Sequence, residues 1–586
     1  MADPIIKIEN LSFTYQGDKK ALKNINLDIA EGEYVSIVGA NGAGKTTLCL
    51  LLNGIIPNVI GGRIAGTVHV NHLNTFDHHV YEIAQSVGLV LQDPESQLFS
   101  ADVCSEIAFA AENRGIPRGD IITRLNEAIS IVRLNGLEDR LSDELSGGQK
   151  QRLAIAANLV VRPKIMVADE PTSQLDPVGK EEVFATLAEL NKKHGMTVII
   201  ASHDVDEISR YADRVIVLSE GEIVLQGTPD KVFHEIETLD RVFVHVPDIA
   251  RLGKLIGINH RQPIDLHVDK ASAQVHAWLA QQKGKTTHLV EFPSAAPVQS
   301  VKPDEMKAGG LVAVKVENLS FTYPGTTVPA LQDIYCDISQ GEFVGVIGQN
   351  GAGKTTLMKC LVGLHKPTSG NVFINGKPIL GQKVGDVARQ IGLILQNPDT
   401  QLFTMSVEEE IRFGLTSLKL AESEIAARTD EALEITGLEQ YRHLYPFKLS
   451  LGDRRKVAVA SIVAMRPSIL IFDEPLTGQD YKGRYELTNL AAKLHQAGHT
   501  VIMISHDMEL VAQYTQRTIV LGQSKLLLDA PTRKVFDYLD ILRSTYIEPP
   551  EIIQLAQSLR PDGLPDGLLS VEDIAKGLVD LANKKQ

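Results

Sequence analysis

A chain of 586 residues is too long for one hydrophobic core, and its net charge of -15, with no lysine and arginine cluster, argues against nucleic acid as a partner. Its four cysteines, Cys49, Cys104, Cys336 and Cys360, lack CxxC spacing, which argues against a disulfide framework, an iron–sulfur cluster or a zinc ribbon and fits small buried residues in a reducing compartment. No uncharged apolar run reaches the roughly 18 residues of a membrane span, and Met1 to Asn10 carries charges where a signal peptide needs an apolar core.

The stretch from Ile5 to Tyr15 alternates through Ile6, Ile8, Leu11 and Phe13 and reads as an edge strand. Its end, Glu9 to Tyr15, recurs as Glu317 to Tyr323, so internal repetition begins before any chemistry-bearing motif. Tyr15 and Tyr323 either stack on an adenine ring or close their strands as ordinary aromatics.

From Gly39 to Thr47 the chain reads Gly-Ala-Asn-Gly-Ala-Gly-Lys-Thr-Thr, and from Gly348 to Thr356 it reads Gly-Gln-Asn-Gly-Ala-Gly-Lys-Thr-Thr. Both fit the phosphate loop GxxxxGK(S/T), with the two lysines 309 positions apart. Backbone N–H groups around Gly39, Asn41, Gly42 and Gly44, and around Gly348, Asn350, Gly351 and Gly353, line an anion cradle. Lys45 and Lys354 reach the β- and γ-phosphates, while Thr46 and Thr355 hold Mg²⁺. An apolar run, Tyr34 to Val38, precedes the first copy, and a helix-forming run, Thr46 to Asn53, follows it. That helix, with Thr47 in its first turn as Thr356 is in the second copy, turns a favourable dipole toward the phosphate.

A short apolar strand, Val87 to Leu91, leads into Gln92-Asp-Pro-Glu-Ser-Gln-Leu-Phe99, repeated as Gln396-Asn-Pro-Asp-Thr-Gln-Leu-Phe403. Gln92 and Gln396 can ligate Mg²⁺ or orient water through the amide oxygen, and the proline fixes a turn. Leu98, Phe99, Leu402 and Phe403 either line a docking groove or bury themselves in a small helical subdomain. Next, Leu145-Ser146-Gly147-Gly148-Gln149 opens a helix through Arg152 and Ala156. The second copy departs here, reading Leu449-Ser450-Leu451-Gly452-Asp453. In both, a serine precedes a glycine at a helix start, which offers a hydroxyl and free amides to an anion or simply caps the helix.

Ile165 to Ala168 leads into Asp169-Glu170, and Ile469 to Phe472 into Asp473-Glu474. Four apolar residues ending in two carboxylates mark a buried parallel strand whose C-terminal end meets a ligand. Asp169 and Asp473 are placed to bind Mg²⁺, Glu170 and Glu474 to polarise an attacking water. Ser173 to Asp176 then faces Thr477 to Asp480. The Val/Ile-rich runs Thr197 to Ser202 and Thr500 to Ser505 end at His203 and His506, each suited to hydrogen-bond a γ-phosphate or to serve as a structural histidine. Further on, Pro247 to Leu252 recurs as Pro550 to Leu555, and Val268 to Leu279 aligns with Val571 to Ala582, both with helical apolar spacing.

In this order the motifs resemble the ATP-binding cassette family over nearly all of each half. The resemblance implies two tandem P-loop α/β cassettes. Each has a mainly parallel sheet, an antiparallel β subdomain near its start, a helical subdomain between the Gln segment and the signature, and a C-terminal helical extension. The boundaries are 1-230 and 231-291 for the first cassette and its extension, 292-310 for a Pro/Ala/Ser-rich linker, and 311-534 and 535-586 for the second pair. It further implies ATP and Mg²⁺ as cofactors and head-to-tail pairing of the cassettes within one chain. One composite site then joins Lys354, Asp473, Glu474 and His506 with Ser146 and Gly148, and the other joins Lys45, Asp169, Glu170 and His203 with Ser450 and Gly452. Leu451 adds bulk and Asp453 a negative charge to the second, so slower hydrolysis is expected there.

The Gln-x-Pro-x-x-Gln-Leu-Phe segment with a helical extension is similar to the ATPases of energy-coupling factor importers, those for hydroxymethylpyrimidine/thiamine or cobalt among them. That similarity implies a transmembrane coupling subunit, a small substrate-capture membrane protein and a place on the cytoplasmic face of the cell membrane. Two rival readings are a fused sugar-importer ATPase, against which Gln97 to Phe99 and Gln401 to Phe403 argue, and a soluble tandem cassette acting on ribosomes or nucleic acid. The latter usually carries a basic linker, a cysteine cluster or a long insertion, none of which stands in this sequence.

Overall fold

A computed structural model describes residues 3–17, 19–258, 263–282, 287–290 and 310–584; the linker expected over 292-310 lies outside the described residues apart from Gly310. Its contacts divide the chain into two compact units that part near Gln281.

In the first unit the strand Tyr34–Val38 is buried at every position. Its side chains alternate, Val35 and Ile37 facing one core, Tyr34 and Val38 the other, because successive residues of a strand point to opposite faces. The strand is interior to a six-stranded sheet ordered Glu222–Gly227, Arg214–Ser219, Tyr34–Val38, Thr197–Ala201, Ile165–Asp169, Val87–Val90. All neighbours run parallel except the outermost pair, Glu222–Gly227 with Arg214–Ser219. Parallel strands end on one edge, so Gly39, Asp169, Ser202 and Leu91 are delivered to the same side.

One core lies between this sheet and the helix Lys45–Leu52, whose Leu48, Cys49, Leu51 and Leu52 are buried. A four-stranded antiparallel sheet, ordered Lys20–Ile29, Ile6–Tyr15, Gly62–Val70, Leu73–Asn74, closes that core. Ile6–Tyr15 is therefore not an edge strand as its pattern suggested, because it pairs with Lys20–Ile29 on one side and Gly62–Val70 on the other. Alternation reports which face of a strand is buried and says nothing about its two edges. The second core holds the helix Pro177–His194 and the helical subdomain of Val103–Asn113, Arg118–Ile131 and Gly147–Leu159. A fully buried aliphatic side chain in either core contributes about 1.5–3 kcal/mol relative to an exposed one.

The second unit repeats the design. Its six-stranded sheet runs Ile391–Ile394, Ile469–Asp473, Thr500–Ile504, Phe343–Ile347, Arg517–Gly522, Lys525–Pro531. Its antiparallel sheet runs Leu331–Ser339, Val312–Phe321, Ser369–Ile374, Lys377–Pro378. Helices Asp248–Leu255 and Val268–Gln281 follow the first sheet, and Glu551–Ser558 and Val571–Lys584 the second. Cys49, Cys336 and Cys360 are buried free thiols, whereas Cys104 is partly exposed, contrary to the expectation that all four are interior. Cys104 follows directly on the first residue of the helix Val103–Asn113, where one flank faces outward. Among the described residues no helix is long and apolar enough to cross a membrane.

Candidate nucleotide-binding sites

Each phosphate loop joins a central strand to a helix through glycine geometry. A Cβ on Gly39 would come within 2.3 Å of the Leu218 carbonyl oxygen, and one on Gly348 within 2.2 Å of that of Leu521. Gly44 and Gly353, the residues capping the two helices, have φ of 110° and 98°, a region that side chains disfavour. The loop therefore bends tightly enough to turn its amides inward.

Lys45 is buried, and its ammonium donates to the carbonyl oxygens of Gly39 at 2.8 Å and Ala40 at 3.3 Å. It also lies 3.2 Å from Glu170 Oε1 and 3.2 Å from His203 Nε2. Lys354 repeats this, with Gly348 at 2.8 Å, Gln349 at 3.0 Å, Glu474 at 3.6 Å and His506 at 3.3 Å. The glutamates in turn meet the histidines, His203 Nε2 at 2.8 Å from Glu170 and His506 Nε2 at 2.9 Å from Glu474. His506 Nε2 further lies 3.1 Å from Asn350 Oδ1. Lysine, glutamate and histidine from three strand ends thus converge at the mouth of each loop.

Glu170 and Glu474 have φ of 50° and 47°. A non-glycine residue held there costs about 1–3 kcal/mol, a strain that clusters at functional sites. Burial pushes the Glu170 carboxyl up, but His203 and Lys45 outweigh it and hold the group below the usual carboxylate range. Glu474 behaves alike beside His506 and Lys354. Both stay ionised, as a group that polarises water must.

The neighbouring aspartates go the other way. Burial raises Asp169, and burial with the Glu474 charge pushes Asp473 up to about 6. Asp169 Oδ1 is buried with no hydrogen-bond partner among the described residues, while Thr355 donates to Asp473 Oδ1 at 3.2 Å. A carboxylate that burial disfavours in its charged form, set beside a loop hydroxyl, suits a hard divalent cation bound through oxygens. Thr46 with Asp169, and Thr355 with Asp473, fit Mg²⁺.

The remaining predicted residues make contacts within their own units. Gln92 donates to Ser173 Oγ at 3.1 Å, and Gln396 donates to Glu474 Oε2 at 3.3 Å. The Tyr15 hydroxyl meets Thr47 Oγ1 at 2.9 Å, and that of Tyr323 meets Thr356 Oγ1 at 2.9 Å, which puts each ring beside its loop helix. Ser146 caps Gly147–Leu159, its Oγ accepting from Gln149 N–H at 3.3 Å while Gln149 Oε1 accepts from Ser146 N–H at 2.9 Å. In the altered copy the Ser450 hydroxyl donates to Asp453 Oδ2 at 2.7 Å.

The Gln-segment leucines and phenylalanines divide rather than sharing one fate. Leu402 is buried and Leu98 packs against a core, but Phe99 is 65% and Phe403 61% exposed. Each phenylalanine sits edge to face on a second exposed ring, Phe99 on Phe109 at 4.5 Å and Phe403 on Phe413 at 4.6 Å. Two buried glutamates absent from the sequence reading hold these loops. Glu106 Oε2 accepts from the N–H of Phe99 at 3.0 Å and Ser100 at 2.6 Å, and Glu410 Oε2 from Phe403 at 3.0 Å and Thr404 at 2.9 Å. Their signal was a glutamate recurring 304 positions on, the same offset as the Gln segments.

Chemically, such a cradle steadies a terminal phosphate while an ionised carboxylate orients water against it; the class so defined is a P-loop nucleoside triphosphatase, built twice into one chain. The family described as ABC transporter matches residues 22–173 and 331–477. Relatives bearing the provisional name ABC transporter ATP-binding protein include one from Methanosarcina mazei, 38% identical over 577 residues, with 98% of this chain and 97% of that one covered. Another, from Enterococcus faecalis, is 33% identical over 575 residues with 98% of each covered. A solved structure, cbiO1 from Clostridium perfringens, part of the ABC transporter complex cbiONQ, is 34% identical over 42% of this chain and 99% of that one, with a TM-score of 0.38. This chain belongs to the ABC transporter family as a tandem-cassette ATP-binding protein, with ATP hydrolysis coupled to transport as its general activity.

Proposed function

We propose that the chain is the paired ATPase of an energy-coupling factor importer, powering uptake of a vitamin, a vitamin precursor or a transition-metal ion. It works from the cytoplasmic face of the membrane through a transmembrane coupling subunit and a small substrate-capture protein. The observation that carries this reading is the exposed aromatic pair that each Gln segment forms with the helix after it, Phe99 with Phe109 and Phe403 with Phe413. In the first cassette Phe99 lines a groove of 420 Å³ with Glu95, Leu98, Ser142 and Lys150. Apolar surface kept exposed twice, and braced by buried Glu106 and Glu410, fits a pair of docking points for apolar helices of a membrane partner.

In this reading the cassettes pair head to tail, and each ATP is completed by the other cassette's signature. Lys45 and Lys354 exchange their loop carbonyls for phosphate oxygens, Glu170 and Glu474 orient the attacking water, and His203 and His506 hold the γ-phosphate. Thr46 with Asp169, and Thr355 with Asp473, would hold Mg²⁺, which would supply charge neutralisation to the bound phosphates. Among the described residues nothing accepts the Ser146 hydroxyl proton, but Ser450 donates its own to Asp453, so the site completed by Ser450 hydrolyses more slowly.

Affinity purification of the full chain from detergent-solubilised membranes tests the assignment. Two small membrane proteins, one binding a vitamin or metal ion, support it. A sugar permease or ribosomes in their place would show it to be wrong.

A further inference from the structure

We infer that Lys150 and Arg454 are positioning residues that tie each Gln segment to the signature serine of its own cassette. Lys150 is the fourth residue of Gly147–Leu159 and forms an ion pair with Glu95 of the Gln segment. Arg454 is the fourth residue of Leu451–Val463 and donates through one nitrogen to both carboxylate oxygens of Asp399, at 2.6 and 2.7 Å. Its guanidinium also lies 5.9 Å from the centre of the Phe447 ring. Between the repeats both partners change, lysine to arginine and glutamate to aspartate, yet the pairing is kept.

The two following residues strengthen the grip. Gln151 donates to the Leu91 carbonyl at 3.0 Å, and Arg455 reaches the Gln396 carbonyl at 3.4 Å and the Thr477 carbonyl at 2.5 Å. Arg152 pairs with Glu182 at 3.1 Å, and Lys456 with Glu486 at 2.5 Å, fastening the same helix to the one that follows the strand-end carboxylates. The capping serine stands four residues before Lys150, about 6 Å along the helix axis. Glu95 and Lys150 also line the groove beside Phe99. A displacement of the Gln segment therefore reaches the serine directly through the pair rather than through the helices Val103–Asn113 and Arg118–Ile131 that separate the two in sequence. A misplacement of about 1 Å can cost up to about 100-fold in rate, so loosening this link lowers turnover.

The inference rests on the reading that Ser146 completes an ATP site, and the test separates the two. ATPase activity of the full chain is compared among the parent, Ser146→Ala, Glu95→Lys, Lys150→Glu and the double swap Glu95→Lys/Lys150→Glu. Expected are a kcat lowered about tenfold in each single reversal, a KM for ATP within about twofold, and recovery of most of the kcat in the swap. The Glu95 side chain is 68% exposed and that of Lys150 only 13%, so Glu95→Lys, the reversal at the exposed end, should move the thermal midpoint by less than about 4 °C. An unchanged kcat in Lys150→Glu, or a swap no better than the single reversals, overturns the coupling role while leaving the site intact. A raised KM with unchanged kcat overturns it too, by placing Lys150 on the nucleotide. If Ser146→Ala keeps full activity, the composite-site reading falls and takes the coupling role with it.

Discussion

Replacing Asp473 by Asn should stabilise the nucleotide-free chain while abolishing its response to magnesium. The carboxyl is buried beside Glu474 and pushed from 3.8 up to about 6, a difference worth about 3 kcal/mol. The sign follows from where each state titrates. Below about pH 4 the carboxyl is protonated whether the chain is folded or not, and no penalty exists. As pH rises the unfolded chain ionises first, the penalty grows, and it is complete above about pH 6. Asn keeps an oxygen for the Thr355 hydroxyl, now at 3.2 Å from Asp473, and carries no charge. Scanning calorimetry in EDTA should therefore show the second unit melting roughly 6–12 °C higher in the variant at pH 7.5, and level with the parent at pH 4. Adding Mg²⁺ and ATP should raise the parent's midpoint far more than the variant's. A variant that melts at or below the parent in EDTA at pH 7.5, or gains equally at pH 4, would refute the claim that burial makes this carboxylate wait for a cation.

Three further outcomes follow from the sites. Glu474→Gln should remove most steady-state ATPase activity and Glu170→Gln much less if, as proposed, the site of Glu474 is completed by Ser146 and that of Glu170 by Ser450, whose hydroxyl donates to Asp453; equal losses in a phosphate-release assay would rule the asymmetry out. Lys354→Ala should weaken nucleotide binding at its site at least tenfold by titration with a fluorescent ATP analogue, because it deletes the cation proposed to meet the phosphates. Glu410→Ala strips the acceptor from two backbone N–H groups and should cost about 2–3 kcal/mol in urea unfolding, with faster hydrogen exchange at Phe403 and Thr404.

The phosphate loops, strand-end carboxylates and histidines were legible in the sequence because their chemistry sits in contiguous residues whose backbone leaves little choice of side chain. Gly39 and Gly348 illustrate this, since any Cβ there meets a carbonyl. Contacts between distant segments were not legible. Glu106 and Glu410 look like surface positions of an amphipathic helix, and only the fold shows them turned inward under a loop. The Gln segments misled differently: adjacent Leu402 and Phe403 share hydrophobicity, but a turn points one inward and the other out. Likewise the pattern of Ile6–Tyr15 revealed its buried face and not its two neighbours, which are set by chain reversal elsewhere.

Beneath each phosphate loop lies a sealed sulfur. Cys49 and Cys360 belong to the helices that the loops open, both have no measurable surface, and burial pushes Cys49 well above the ordinary thiol range and Cys360 to about 12. Only a thiolate reacts readily with maleimides, so neither can be alkylated while its helix stays seated. Labelling speed then becomes a built-in stopwatch for transient opening of either half, one sulfur for each, readable by mass spectrometry without introducing any probe.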